Sequence, residues 1–144
     1  MPELIRVYRK ELIVSPEYLD EQNHVNNVCY VSWMQEIATE HSRITGWGPE
    51  RYLGMGLGWF VRRHTINYLH PILAGDDIYM ETWISEIKHV WCIRCCRFVR
   101  KSDGMELANS ESKWGMVNLE TGQPTRIPQE LHDCITACMQ LPDA

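Results

Sequence analysis

Hydrophobic and polar positions change period along the chain. From Leu4 to Val14 apolar residues alternate loosely with polar ones and stop at Ser15-Pro16, which predicts a first strand. Residues 20–27, Asp-Glu-Gln-Asn-His-Val-Asn-Asn, are polar but for Val25 and predict a loop whose asparagines suit a helix N-cap. The period then becomes helical. Tyr30, Met34, Ile37, His41 and Ile44 form a stripe that Val31, Trp33 and Ala38 widen, so a helix is expected over roughly 27–45, closed by Gly46. Residues 49–55 suit a short second helix. Four strands should follow at 59–70, 78–87, 90–101 and 105–119, separated by Pro71, Gly75-Asp76-Asp77, Ser102-Asp103-Gly104 and Glu120-Thr121-Gly122. Residues 128–139 predict a terminal helix with Pro in its first turn.

Strand, long helix and four strands joined by short turns predict an α+β domain spanning 1–144. Its sheet should be antiparallel, with consecutive strands as neighbours, because a parallel crossover needs about a dozen residues or more. The apolar arc of the helix is wide, so the sheet should wrap it.

Composition narrows the class. The 144 residues carry 14 Lys and Arg against 19 Asp and Glu, a net charge of −5, so no basic surplus exists to neutralise nucleic-acid phosphates. No apolar run approaches the ~20 residues of a membrane helix, and Met1-Pro2-Glu3-Leu4-Ile5-Arg6 is no secretory leader. A cytoplasmic protein is expected. Six cysteines, at 29, 92, 95, 96, 134 and 138, include a CxxC at 92–95. That pair lies in a strand, whereas a redox pair favours a helix N-terminus and a zinc site needs a second ligand pair, so buried free thiols are the better account. No metal pattern emerges from His64, His70, His89 and His132.

The segment from Tyr18 to Trp33 carries the chemistry. It sets a carboxylate, Asp20, and an imidazole, His24, four residues apart in a loop that feeds a helix N-terminus. Unpaired N–H groups and the helix dipole favour negative charge at such an end, an arrangement suited to attack on an acyl carbonyl. The alternative is local: Asp20 or an Asn caps the helix and His24 packs.

Asp20 followed by a short turn and His24-Val25-Asn26-Asn27, with an aromatic three residues on, resembles the signature of hotdog-fold thioesterases, above all the 4-hydroxybenzoyl-CoA thioesterase-like group, and also plant acyl-ACP thioesterases. Ile66-Asn67-Tyr68-Leu69-His70-Pro71, Gly75-Asp76 and the stretch from Asn118 to Pro128 are similar to later parts of that fold, so the likeness covers the chain. The resemblance implies a hotdog fold, a long central helix wrapped by a five-stranded antiparallel sheet. It also implies hydrolysis of an acyl-CoA or acyl-ACP thioester with no cofactor and no metal, CoA being part of the substrate. Asp20 falls on the catalytic carboxylate, as nucleophile or as general base. The N–H of Asn27 falls on the oxyanion donor, and His24 on the signature histidine that orients water or the thioester oxygen. Tyr30 matches the aromatic inside the helix and is read as packing beside the substrate. Asn23 stands where the family usually has Gly, a substitution compatible with a left-handed backbone. Hydratases of this fold resemble Asp-x-Asn-Pro-x-His, which this loop lacks. Family members pair sheets edge to edge, implying a homodimer or homotetramer.

Another thioesterase subgroup carries its carboxylate on the long helix, where Glu36 and Glu40 are the candidates, but they fall on what looks like a solvated face. Cations for the CoA phosphates are available at Arg62 and Arg63, the preferred pair, and at Lys88, Arg94, Arg97, Arg100 and Lys101. Otherwise these residues are simply the exposed face of alternating strands. The alternative function is a non-catalytic hotdog module that binds acyl thioesters.

Overall fold

The computed structural model describes residues 2–142. Its elements follow the expected order: β1 (Tyr8–Ile13), α1 (Asn27–Ile44), α2 (Pro49–Leu53), β2 (Leu57–Tyr68), β3 (Asp77–Ile87), β4 (Trp91–Arg100), β5 (Glu106–Asn118) and α3 (Gln129–Met139). A 3-10 turn at Pro16–Tyr18, not anticipated, links β1 to the polar loop. β1 starts later than its alternation suggests. The residues before it turn onto the far end of α1, where Glu3 N–H bonds to Ile44 C=O at 2.9 Å and Ile5 C=O lies 2.6 Å from His41 Nε2. Those backbone groups are used by the helix and never join the sheet.

The five strands form one sheet in the order β1-β3-β4-β5-β2, every pair antiparallel. Tight turns do make β3, β4 and β5 neighbours. The expectation fails between β2 and β3, which have β4 and β5 between them, with β2 on an edge. Their connection, residues 69–76, is a crossing rather than a hairpin. It is anchored by Ile72, fully buried, whose C=O accepts the N–H of Val25 at 2.9 Å. The crossing therefore braces the loop that enters α1.

α1 forms where the polar loop ends because Asn26 caps it: its side chain accepts the N–H of Val28 at 3.0 Å. Tyr30, Trp33, Met34 and Ile37 are buried against Met80, Cys96, Phe98 and Ala108 of the sheet. Each such side chain contributes about 1.5–3 kcal/mol by burial. A second cluster, Trp47, Met116, Ile127, Leu131 and Ile135, seats α3 on the sheet.

Candidate functional site

The loop before α1 is tightly determined. Asp20 N–H donates to His24 C=O at 2.7 Å, and Leu19 pairs with Val25 across the turn. Asn23 is the one non-glycine among the described residues with positive φ, at 61°. It thus adopts the left-handed conformation expected where the resembling family has Gly. Asp20 Oδ1 accepts from the backbone N–H of Gln22 at 2.8 Å and of His24 at 3.2 Å. Oδ2 makes no hydrogen bond to a described residue. His24 is exposed, and its ring likewise has no hydrogen-bond partner among the described residues.

The first N–H groups of α1 are disposed unequally. Val28 N–H goes to the Asn26 side chain and Cys29 N–H to Asn26 C=O at 2.9 Å. Asn27, the first helical residue, has no acceptor for its N–H among the described residues. One donor is thus left open at the positive end of α1, seven residues along the loop from Asp20's partly accessible carboxylate.

Other expected residues fall elsewhere. Tyr30 is buried in the core, edge-on to Tyr68 and Phe98, and burial pushes its phenol up to about 12. Arg62 is the bulged residue of edge strand β2, between Val61 and Arg63, and its guanidinium lies over Gly115. Arg62 and Arg63 are exposed and form no ion pair with a described residue. Tyr68 touches α1 through Tyr30, but Arg63 lies five residues back along the strand, about 17 Å at ~3.4 Å each. One chain therefore does not gather Arg62 and Arg63 at the loop. Glu36 is exposed as expected, whereas Glu40 is half-buried, taking Lys10 Nζ at 2.6 Å and Tyr8 Oη at 3.3 Å.

All six cysteines are free, and burial is the leading cause raising every thiol above its ordinary range. Cys92 and Cys95, an odd number of residues apart in β4, point to opposite faces of the sheet and do not act as a redox pair. No group of three or more His, Cys, Asp or Glu is arranged to hold a metal among the described residues.

A cavity of about 290 Å³ lies at the other end of α1, between its second half, the sheet and α3. Arg94 lines it, which corrects the view of Arg94 as one of a set of exposed strand cations. The parity of β4 was the available signal: Cys92, Arg94, Cys96 and Phe98 share the face that packs on α1. Arg94 Nη1 donates to His41 Nδ1 at 3.0 Å and to Thr82 Oγ1 at 3.1 Å. His41 is buried, and burial, then the nearby Arg94 charge, lowers it from 6.5 to about 4 despite the Ile5 carbonyl. A neutral ring must accept at Nδ1, so Nε2 carries the proton and donates to Ile5 C=O.

The model of the thioesterase-like superfamily matches residues 14–135. The chain belongs to this superfamily. The match takes in the Asp20 loop, α1 and strands β2 to β5. Solved structures place this thioesterase-like protein in the hotdog fold. A hypothetical protein from Staphylococcus aureus, solved in complex with CoA, superposes with a TM-score of 0.88 at 14% identity, over 100% of this chain and 91% of that one. A 1,4-dihydroxy-2-naphthoyl-CoA thioesterase from Synechocystis gives 0.82 at 13% identity, over 90% and 96%. The 12:0-ACP thioesterase from Umbellularia californica gives 0.84 at 20% identity, over 94% of this chain and 51% of the plant enzyme. No curated protein matches the sequence.

Proposed function

We propose that this chain is an acyl-CoA thioesterase, hydrolysing a fatty or aromatic acyl thioester to the free acid and CoA. The observation that carries the reading is the open Asn27 N–H at the positive end of α1, on the same braced loop as an accessible Asp20 carboxylate. Superfamily membership and neighbours named as thioesterases of acyl-CoA and acyl-ACP substrates support it.

In this scheme the thioester carbonyl oxygen points at the Asn27 N–H, which stabilises the oxyanion formed on attack. Asp20 either takes a proton from the attacking water or attacks the carbonyl itself, giving an anhydride that water then opens. The C–S bond breaks, and the CoA thiolate leaves and is protonated. His24 assists by hydrogen bonding to water or to the thioester oxygen. Asn23 shapes the turn beside the substrate.

The long edge strand β2 presents unpaired backbone together with exposed Phe60, Val61 and Tyr68. We infer that two copies pair through it as a homodimer, alone or within a tetramer. Arg62 and Arg63 then serve the CoA phosphates across the seam, with Tyr30 packing behind the acyl site.

The Asp20→Asn enzyme tests this reading. Asn retains an Oδ1 acceptor for Gln22 and His24, so the turn survives while the charge is lost. Against a panel of acyl-CoAs with a thiol reagent, kcat should fall on the order of a hundredfold or more at unchanged Tm. Unchanged kcat would move the chemistry away from Asp20. A wild-type protein that binds acyl-CoA without turnover would be a non-catalytic binding module instead.

A further inference from the structure

Arg94 is a part-buried cation with no counter-ion among the described residues. It forms no ion pair with a described residue, and the groups around it, His41, Thr82 and the thiols of Cys92, Cys95, Cys96 and Cys138, are uncharged at neutral pH. A guanidinium drawn partly out of water is costly unless an anion or water meets it. Its hydrogen bonds are one-sided. Both Nη1 protons are used, on His41 and Thr82, and no hydrogen bond from Nε or Nη2 reaches a described residue.

Nε–H and the adjacent Nη2–H are parallel and form the side-on fork that fits the two oxygens of one carboxylate. This edge is not sealed. Among the described residues, neither Nε nor Nη2 of Arg94 is a fully occluded polar atom left without a hydrogen bond. The open space beside Arg94 is the cavity it lines, whose other walls include a second cation, Arg6, and Trp47, Trp59, Trp114, Ile84 and Leu131. At about 290 Å³ it holds the equivalent of about ten water molecules at roughly 30 Å³ each, enough for a compact organic acid.

We propose that this cavity is a binding site for an organic monocarboxylate with a small apolar body, its carboxylate held side-on by Nε and Nη2 of Arg94 and its body against the tryptophans. Arg94 is pre-set for this role. Ile5 C=O, His41 and Thr82 fix Nη1, so the free edge is oriented before any ligand arrives. The site is separate from the Asp20 loop. Its nearest α1 residue, Gln35, is eight residues from Asn27, about 12 Å along the helix at 1.5 Å per residue. The proposal does not depend on thioester hydrolysis.

Binding is measured by calorimetry and tryptophan fluorescence at neutral pH, with hexanoate and benzoate against hexanamide and benzamide. The amides match the acids in shape and lack the charge. The acids should bind, and the amides should bind on the order of tenfold to a hundredfold more weakly, the range for a charge-assisted pair. Arg94→Gln should abolish the preference for acid over amide, and Asp20→Asn should leave acid affinity unchanged. CoA should not compete with hexanoate. Equal binding of acid and amide by the wild type, no binding of either acid, or displacement of hexanoate by CoA would each overturn the proposal. The wild-type comparison decides even if Arg94→Gln does not fold.

Discussion

Acidification should destabilise this protein through one buried histidine. His41 is held neutral in the fold, lowered from 6.5 to about 4 chiefly by burial and then by the Arg94 charge. In the unfolded chain the same ring titrates near its ordinary value, so between these two pH values the unfolded state binds one more proton. Stability from this group is therefore fully present above about pH 6.5 and is lost as pH falls toward 4. At about 1.4 kcal/mol per pH unit the full span is worth about 3 kcal/mol, of which about 2 kcal/mol should be gone by about pH 4.5. The physical event is the loss of the Nδ1 acceptor and the appearance of an imidazolium 3.0 Å from Nη1 of Arg94. Urea unfolding, followed by tryptophan fluorescence at a series of pH values, measures it. His41→Gln lacks the titration, so its stability should fall less steeply by that amount over the same range, and exposed carboxylates common to both proteins cancel in the difference. Equal losses in the two proteins would refute the assignment of the acid sensitivity to His41.

Three further outcomes are expected. Asn26→Ala removes the acceptor for Val28 N–H and should cost about 1 kcal/mol in thermal or urea unfolding. Asn23→Gly should fold at least as well as the wild type, and Asn23→Val should lose roughly 1–2 kcal/mol, because φ of 61° suits Gly and opposes a β-branched side chain. Replacing Arg62 and Arg63 together by Ala should raise KM for acyl-CoA with little change in kcat and weaken its salt dependence. An unchanged KM would remove them from phosphate binding.

Much of the molecule is determined locally. The switch from polar loop to 3.6-residue period at Asn27 marks the start of α1 to the residue, because the cap is Asn26 next door and the apolar stripe begins at once. Strand limits fall within a few residues of their turn signals for the same reason: Gly75 and Gly104 occupy positive φ where the chain reverses. The left-handed turn at Asn23 is likewise visible in its residue type. Tertiary structure decided what depends on distant partners. Sequence proximity suggested that β2 and β3 would be neighbours, but the sheet curls round α1 and sends β2 to the far edge, beside β5. Leu4 to Val7 alternate like a strand, yet the chain here is turned onto α1, with Glu3 N–H on Ile44 C=O and Ile5 C=O on the His41 ring. The acceptor of each N–H at the start of α1 emerges only once Asn26 is seen to serve Val28 and Cys29 and leave Asn27 open. Arg94 is the sharpest case. The two-residue period of β4 was enough to put it on the inner face, but a chain of letters does not say that His41 and Thr82, 53 and 12 residues away, occupy one half of its guanidinium and leave the other facing a cavity. Local propensity acts over a few residues, whereas such a site exists only where helix, sheet and terminal helix converge.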